Sequence, residues 1–161
     1  MTTAQASEVT TTPKRQGITL HTLMVLSIVF GLLVSGYLSY VKLTDVPMAC
    51  VQGGAFDCGK VQNSAYSEML GIPIAWLGFG TYIVLGALVI LRNRIVFLQE
   101  QGDLLIFGVA LFAFVYSMWL VYVQVVLLEA LCVWCLLHEI NMTVFLLFAS
   151  VRLYRHLSAE A

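Results

Sequence analysis

Leu131-Cys132-Val133-Trp134-Cys135-Leu136-Leu137-His138-Glu139-Ile140-Asn141-Met142 opens an apolar run that continues to Val151. A helix needs about 20 mostly apolar residues to cross the hydrocarbon core of a bilayer. The run therefore reads as a membrane span that begins on a Cys-x-x-Cys pair. Three more stretches have the same length and character, roughly Ile18 to Val41, Ile72 to Leu91 and Leu104 to Leu128. The 161-residue chain is 60% hydrophobic and 11% charged, where soluble domains carry roughly 25% charged residues. That composition excludes an ordinary soluble protein, and four spans leave no room for a soluble domain. The fold class expected is an all-α integral membrane protein, a four-transmembrane-helix bundle.

Lys and Arg set the orientation, because acidic residues carry little topological weight. Lys14 and Arg15 precede the first span, Arg92 and Arg94 lie between the second and third, and Arg152 and Arg155 follow the fourth. These fall on one side, and only Lys42 and Lys60 fall on the other. Both termini are thus expected in the cytoplasm (N-in/C-in) and all four cysteines outside, on the extracytoplasmic face of a cell inner or plasma membrane. Disulfides form and persist on that side. Residues 1–17, rich in Thr, Ser and Ala, read as a disordered cytoplasmic tail, and residues 152–161 as a cytoplasmic tail. A cleaved signal peptide does not suit the first span, which is too long for a signal core and lacks a small-x-small cleavage site right after it.

Small side chains at Ser27, Gly31, Ser35 and Ser39 recur every four residues, a stripe that lets helix backbones approach closely in lipid. Gly78, Gly80 and Gly86 form a looser version in the second span. Pro73 suits the first turn of that span. The short links from Arg92 to Asp103 and at Glu129-Ala130 make the last three spans antiparallel neighbours. Lys42 to Gly71 is different, since a 30-residue connection exceeds the ~12–15 residues at which unstructured loops become unusual. It passes Asp45, Pro47, Cys50, Gly53-Gly54 and Cys58. The glycines let the short ring between the two cysteines close without strain. From Ser64 to Leu70 the pattern is mildly amphipathic and predicts a short interfacial helix capping the outer mouth of the bundle.

The four cysteines form two pairs at one membrane edge, Cys50/Cys58 and Cys132/Cys135, and one pair can pass a disulfide to the other by exchange. Cys132 and Cys135 share a helix face at i, i+3, and C-x-x-C at a helix N-terminus is a recurrent home of reactive thiols. A mobile, exposed attacker is expected from the Gly53-Gly54 loop. Soft-metal (mercuric) binding or transport is the alternative, although zinc favours two short-spaced pairs and the Cys50–Cys58 gap is wide. Two inert structural disulfides are a third possibility. His138 and Glu139 follow Cys135 at i+3 and i+4. Glu139 lies about 12 Å below the start of the span, where a carboxylate is costly and usually functional. Reduction of a quinone consumes two protons, and this pair could bind the quinone oxygens or relay those protons. The plainer assignment has Glu139 protonated or paired with a polar group such as Gln124. Trp76, Trp119 and Trp134 could stack on a ring, but anchoring at the membrane interface is the default for Trp.

Cys50-x7-Cys58, Ser64 six residues later, Gly71-Ile72-Pro73 before the second span, and Cys132-x-x-Cys135 opening the last one together resemble the vitamin K epoxide reductase family in its bacterial type. The resemblance covers most of the chain from the first span to the fourth. It implies that Cys50 and Cys58 shuttle electrons from an external thioredoxin-fold (DsbA-like) partner. It also implies that Cys132 and Cys135 sit beside a quinone (ubiquinone, or menaquinone/vitamin K), with Cys135 the one that bonds to the ring and Ser64 nearby. The implied role is a thiol:quinone oxidoreductase that supports disulfide formation, with no nucleic-acid partner and no metal. The disulfide bond protein B family carries its two pairs in the reverse order. Animal members of the family it resembles have a tyrosine where this chain has Glu139, so the polar contacts to the quinone are expected to differ in kind. Many bacterial members carry a fused thioredoxin-like domain. Only ten residues follow Val151, so the partner is expected to be a separate protein.

Overall fold

A computed structural model describes residues 13–50, 53–92 and 94–160, with side chains placed between 19 and 158. Four long helices carry the chain: α1 (Pro13–Thr44), α3 (Ile74–Leu91), α4 (Val96–Tyr122) and α5 (Val133–Glu160). Between α1 and α3 lie the short helix α2 (Cys58–Gln62), one 3₁₀ turn (Ala65–Ser67) and two two-residue strands, β1 (Glu68–Met69) and β2 (Ile72–Pro73). Each long helix contains a segment long and apolar enough to cross a membrane. α1 packs on α3 and α5, and α4 packs on α3 and α5, so the helices stand at four corners in the order α1, α3, α4, α5. Large apolar side chains such as Leu33, Ile90, Phe112 and Leu147 stand exposed on the outer faces, as a lipid-facing surface requires.

The helices outrun the apolar spans. Residues 13–17 of the expected tail are helical, and residues 1–12 lie outside the described residues. At the other end α5 continues through the expected tail to Glu160. The link expected from Arg92 to Asp103 shrinks to the few residues before Val96. Nothing in Phe97-Leu98-Gln99-Glu100-Gln101 opposes a helix, and Leu98 is buried. Hydrocarbon thickness limits an apolar run, but backbone hydrogen bonding continues past it wherever the residues permit.

The short helix expected over Ser64 to Leu70 is corrected by the structure. Only Ala65–Ser67 turns, and β1 then pairs antiparallel with β2, Glu68 opposite Pro73 and Met69 opposite Ile72. Leu70 (φ 53°) and Gly71 (φ 79°) make the turn, a two-residue hairpin connection with positive φ at both positions. The regular helix of the loop is α2 instead, with Asp57 as its cap: the carboxylate accepts the Lys60 N–H at 2.9 Å. Pro73 caps α3.

Inside the bundle the small-residue stripe of α1 meets α3 and α5. Gly31 leaves room for the ring of Tyr82, which is fully buried. Asn141 donates to Tyr82 Oη (2.8 Å) and to the Ser27 carbonyl (3.0 Å), and accepts from Ser27 Oγ (2.9 Å). At the end of the bundle away from the cysteines, Asp103 is buried between Arg92 (2.7 Å) and Arg152 (2.9 Å). The two guanidinium groups offset the cost of burying that carboxylate.

Candidate functional site

The cysteines converge at the loop-bearing end. Cys50 and Cys58 form a disulfide with a Cα–Cα distance of 6.2 Å, and Cys132 and Cys135 are free. Cys58 and Cys132 are buried together with Val61 and Ala130, and Cys50 and Cys135 pack against that cluster. The loop does not offer a freely exposed pair as expected. Cys58 is 2% exposed at the start of α2, and Cys50 is the more accessible sulfur of the two. The cause is a short stretch of backbone pairing. Leu131 N–H donates to the Ala55 carbonyl (2.8 Å) and the Asp57 N–H donates to the Leu131 carbonyl (3.1 Å), which docks the loop on the residue before Cys132. Gly53 and Gly54, with φ of 143° and 64°, make the bend that allows this docking.

The end of α4 shapes the other side. Val123–Leu127 form a π turn, in which the Leu128 N–H reaches the Val123 carbonyl at 2.9 Å. Such turns recur at functional sites. This one places buried Gln124 so that its carbonyl accepts the Ala130 N–H (3.0 Å) and its side-chain oxygen accepts the Cys132 N–H (3.0 Å). Glu129, with φ of 46°, completes the reversal. Cys132 thus stands as the residue before α5, and its sulfur accepts the Cys135 N–H at 3.4 Å. The sulfur takes the place that an N-cap oxygen normally fills, where the free N–H groups of the first turn favour negative charge.

Beside the cysteines lies a cavity of about 390 Å³ walled mainly by apolar side chains of α3, α4 and α5 and roofed by the loop. Cys135, Ser64, His138 and Glu139 all line it. Ser64 Oγ donates to the Val61 carbonyl (2.8 Å). His138 Nδ1 is 3.8 Å from Glu139 Oε1, its ring stands edge-on to Tyr82 with centroids 5.4 Å apart, and Gly78 lies close beneath it. His138 Nε2 and Glu139 Oε2 are buried without a hydrogen-bond partner. The Gln124 side-chain oxygen accepts from Cys132, and Glu139 Oε2 has no hydrogen-bond partner, from Gln124 or any other described residue. Two residues went unnoticed in the sequence. Gln62 Nε2 donates to Cys135 Sγ at 3.7 Å, and Lys42 ties the roof down through the Gln62 carbonyl (3.2 Å) and Glu68 (3.3 Å). Among the described residues no group of three or more His, Cys, Asp or Glu side chains could hold a metal ion.

Residues 22–150 match the sequence pattern of the Vitamin K epoxide reductase family. The chain belongs to that family. Within it, a 54-residue stretch is 41% identical to part of the thiol-disulfide oxidoreductase LTO1 of Arabidopsis thaliana. The alignment covers 34% of this chain and 14% of that protein, so this vitamin K epoxide reductase family member spans only a small part of that relative's length.

Proposed function

We propose that this protein is a membrane thiol oxidoreductase that takes electrons from a thioredoxin-fold dithiol at Cys50–Cys58 and passes them through Cys132/Cys135 to a quinone in the 390 Å³ cavity. The observation that carries the proposal is the position of Cys135, the one cysteine that packs against the buried disulfide cluster and also lines the cavity. Family membership and the thiol-disulfide oxidoreductase named above support the thiol chemistry. The positive-inside distribution of Lys and Arg supports an extracytoplasmic position for the cysteines.

The burial of Cys58 and Cys132 and the partial exposure of Cys50 and Cys135 support the following sequence of exchanges. A partner thiolate attacks the accessible Cys50 Sγ, and Cys58 leaves as thiolate beside Cys132. The partner's second thiolate then closes the partner's own disulfide and frees Cys50. With Cys132 and Cys135 oxidised, the Cys58 thiolate attacks Cys132 Sγ and Cys135 leaves. Cys50 then attacks Cys58, which restores the loop disulfide and leaves both cysteines of α5 reduced.

The cavity suits a ring with polar ends: its walls are apolar, its size falls within the range of small-molecule sites, and two buried polar atoms, His138 Nε2 and Glu139 Oε2, lack partners. A bound quinone would supply a two-electron acceptor, leaving as hydroquinone with two electrons and two protons as Cys132 and Cys135 return to the disulfide. Around it Cys135 would give up electrons, Gln62 would hold the Cys135 sulfur in place, and His138 and Glu139 would hold and deliver protons. Ser64 would stand at the polar rim.

Purified protein in detergent, supplied with a reduced thioredoxin-fold dithiol and ubiquinone or menaquinone analogues, tests this directly. Quinone absorbance should fall with the wild type and not with Cys135→Ala. Folded protein with reducible disulfides that turns over no quinone would refute the proposal and make soft-metal binding the next measurement.

A further inference from the structure

Ala49, the residue before Cys50, is held on both sides of its backbone by two rings from two different spans. Its N–H donates to Tyr37 Oη of α1 at 3.1 Å, and its carbonyl accepts from Trp134 Nε1 of α5 at 2.7 Å. The two rings pack with centroids 4.7 Å apart, inclined at 48°. Trp134 stands between the two cysteines of the C-x-x-C pair. An interfacial Trp ordinarily turns its N–H to headgroups or water, whereas here the N–H is committed to the loop that bears the other cysteine pair. On the far side of the same short ring, Ala55 and Asp57 are stitched to Leu131. Cys50 therefore hangs between two anchors, one made by Tyr37 of α1 and Trp134 in the first turn of α5, the other by Leu131 two residues before α5.

We propose that Tyr37 and Trp134 are positioning residues for the step at which electrons enter. They hold the peptide before Cys50 so that the Cys50 sulfur faces outward while Cys58 stays buried against Cys132. The inference rests on the exchange sequence above and specifies what fixes its polarity. In that step the partner thiolate forms a sulfur–sulfur bond to Cys50 as the Cys50–Cys58 bond breaks, and the electron pair leaves on Cys58. In-line attack of this kind places the incoming and departing sulfurs on opposite sides of Cys50. If the arm before Cys50 is slack, either sulfur of the disulfide can be presented to the partner, and attack on Cys58 releases the partly exposed Cys50 in place of the cysteine buried in one cluster with Cys132. The clamp also restrains Cys50 while it carries the partner, so that the partner's second thiol can reach the mixed disulfide.

The test uses variants that remove each hydrogen-bond partner of Ala49 and keep an aromatic ring at the position. Tyr37→Phe deletes one oxygen, and Trp134→Phe exchanges the indole for a smaller ring without an N–H. Thermal unfolding is recorded to show that each still folds. A thioredoxin-fold protein reduced to a single cysteine is mixed with the full-length oxidised protein, quenched in acid after a brief reaction, and the mixed disulfide is located by peptide mass mapping. With the wild type the adduct should sit on Cys50. In each variant the Cys58 share should rise and the rate of trapping should fall about 10- to 100-fold, the range that a small misplacement of reacting atoms produces. An unchanged site and a rate within twofold of wild type in both variants would overturn the clamp. No quinone takes part in this reaction, so failure of quinone turnover in the earlier experiment would leave the outcome readable. Equal attack on both sulfurs in the wild type would also overturn it.

Discussion

Gly31→Ala is the substitution whose effect can be worked most fully from the packing. A methyl group at position 31 would overlap the tip of the Tyr82 ring. Tyr82 has no exposed surface into which to retreat. Its edge contacts His138 and its hydroxyl holds Asn141. Relief therefore comes either from α1 moving off α3 or from the ring swinging away from Asn141. Overpacking in a close-packed core costs about 1–3 kcal/mol. Losing a hydrogen bond between membrane helices adds about 0.6–1.7 kcal/mol. The variant should therefore be destabilised by about 2–5 kcal/mol, the sum of those ranges. Gly80→Ala is the matched control, since a methyl there meets nothing within 4 Å, and it should leave stability unchanged or raised. Unfolding of the detergent-solubilised protein by SDS titration, followed by tryptophan fluorescence, reads both. Tyr82→Leu in the Gly31→Ala background removes the ring tip and should recover the overpacking part. A Gly31→Ala protein within about 0.5 kcal/mol of wild type would refute the reasoning, because the ring would then have had room that the structure denies it.

Two further outcomes follow from the ends of the bundle. Asp103→Ala leaves Arg92 and Arg152 facing each other with their shared carboxylate gone, and should cost about 3–5 kcal/mol in the same unfolding titration, as breaking a buried pair does. A loss below 1 kcal/mol would mean the arginines find solvent without cost. Glu139→Gln keeps the shape of a buried side chain and removes its ability to give up a proton. If Glu139 delivers protons, quinone turnover should fall about 10²- to 10⁴-fold while single-cysteine trapping at Cys50 stays at the wild-type rate. A change below threefold in turnover would remove Glu139 from the chemistry.

The four spans and the two cysteine pairs were legible because both are written locally. Apolar runs of sufficient length have few other uses, and Cys132-x-x-Cys135 at the head of a helix declares its own geometry. The stripe through Ser27, Gly31 and Ser35 was legible for the same reason, as a period along one helix. What stayed hidden depends on contacts between residues far apart in the chain. Gln124 reaches Cys132 only because α4 ends in a π turn, and no spacing of side chains signals that turn. Asp103 looked like part of a polar link until Arg92 and Arg152 enclosed it. Trp134 looked like an interfacial aromatic, since nothing along the chain shows that it and Tyr37 both reach Ala49. The hairpin at Leu70-Gly71 did leave a signal in its glycine. The amphipathic pattern over Ser64 to Leu70 masked it, because apolar and polar residues alternate in a hairpin arm as readily as they share faces of a short helix.

The π turn has a consequence for which length changes this protein can tolerate. A π turn holds one residue more than the α-helical turn it replaces, and each residue swings a helix face by about 100°. Deleting one residue between Val123 and Leu127 would leave α4 long enough to span the bilayer and would disturb no apolar pattern. It would nevertheless carry the Gln124 side chain around the axis and away from the Cys132 N–H. In most membrane helices a single-residue indel near the boundary is absorbed by tilt. In α4 it would be felt at Cys132, so the residue count of this span is part of the geometry of the proposed site.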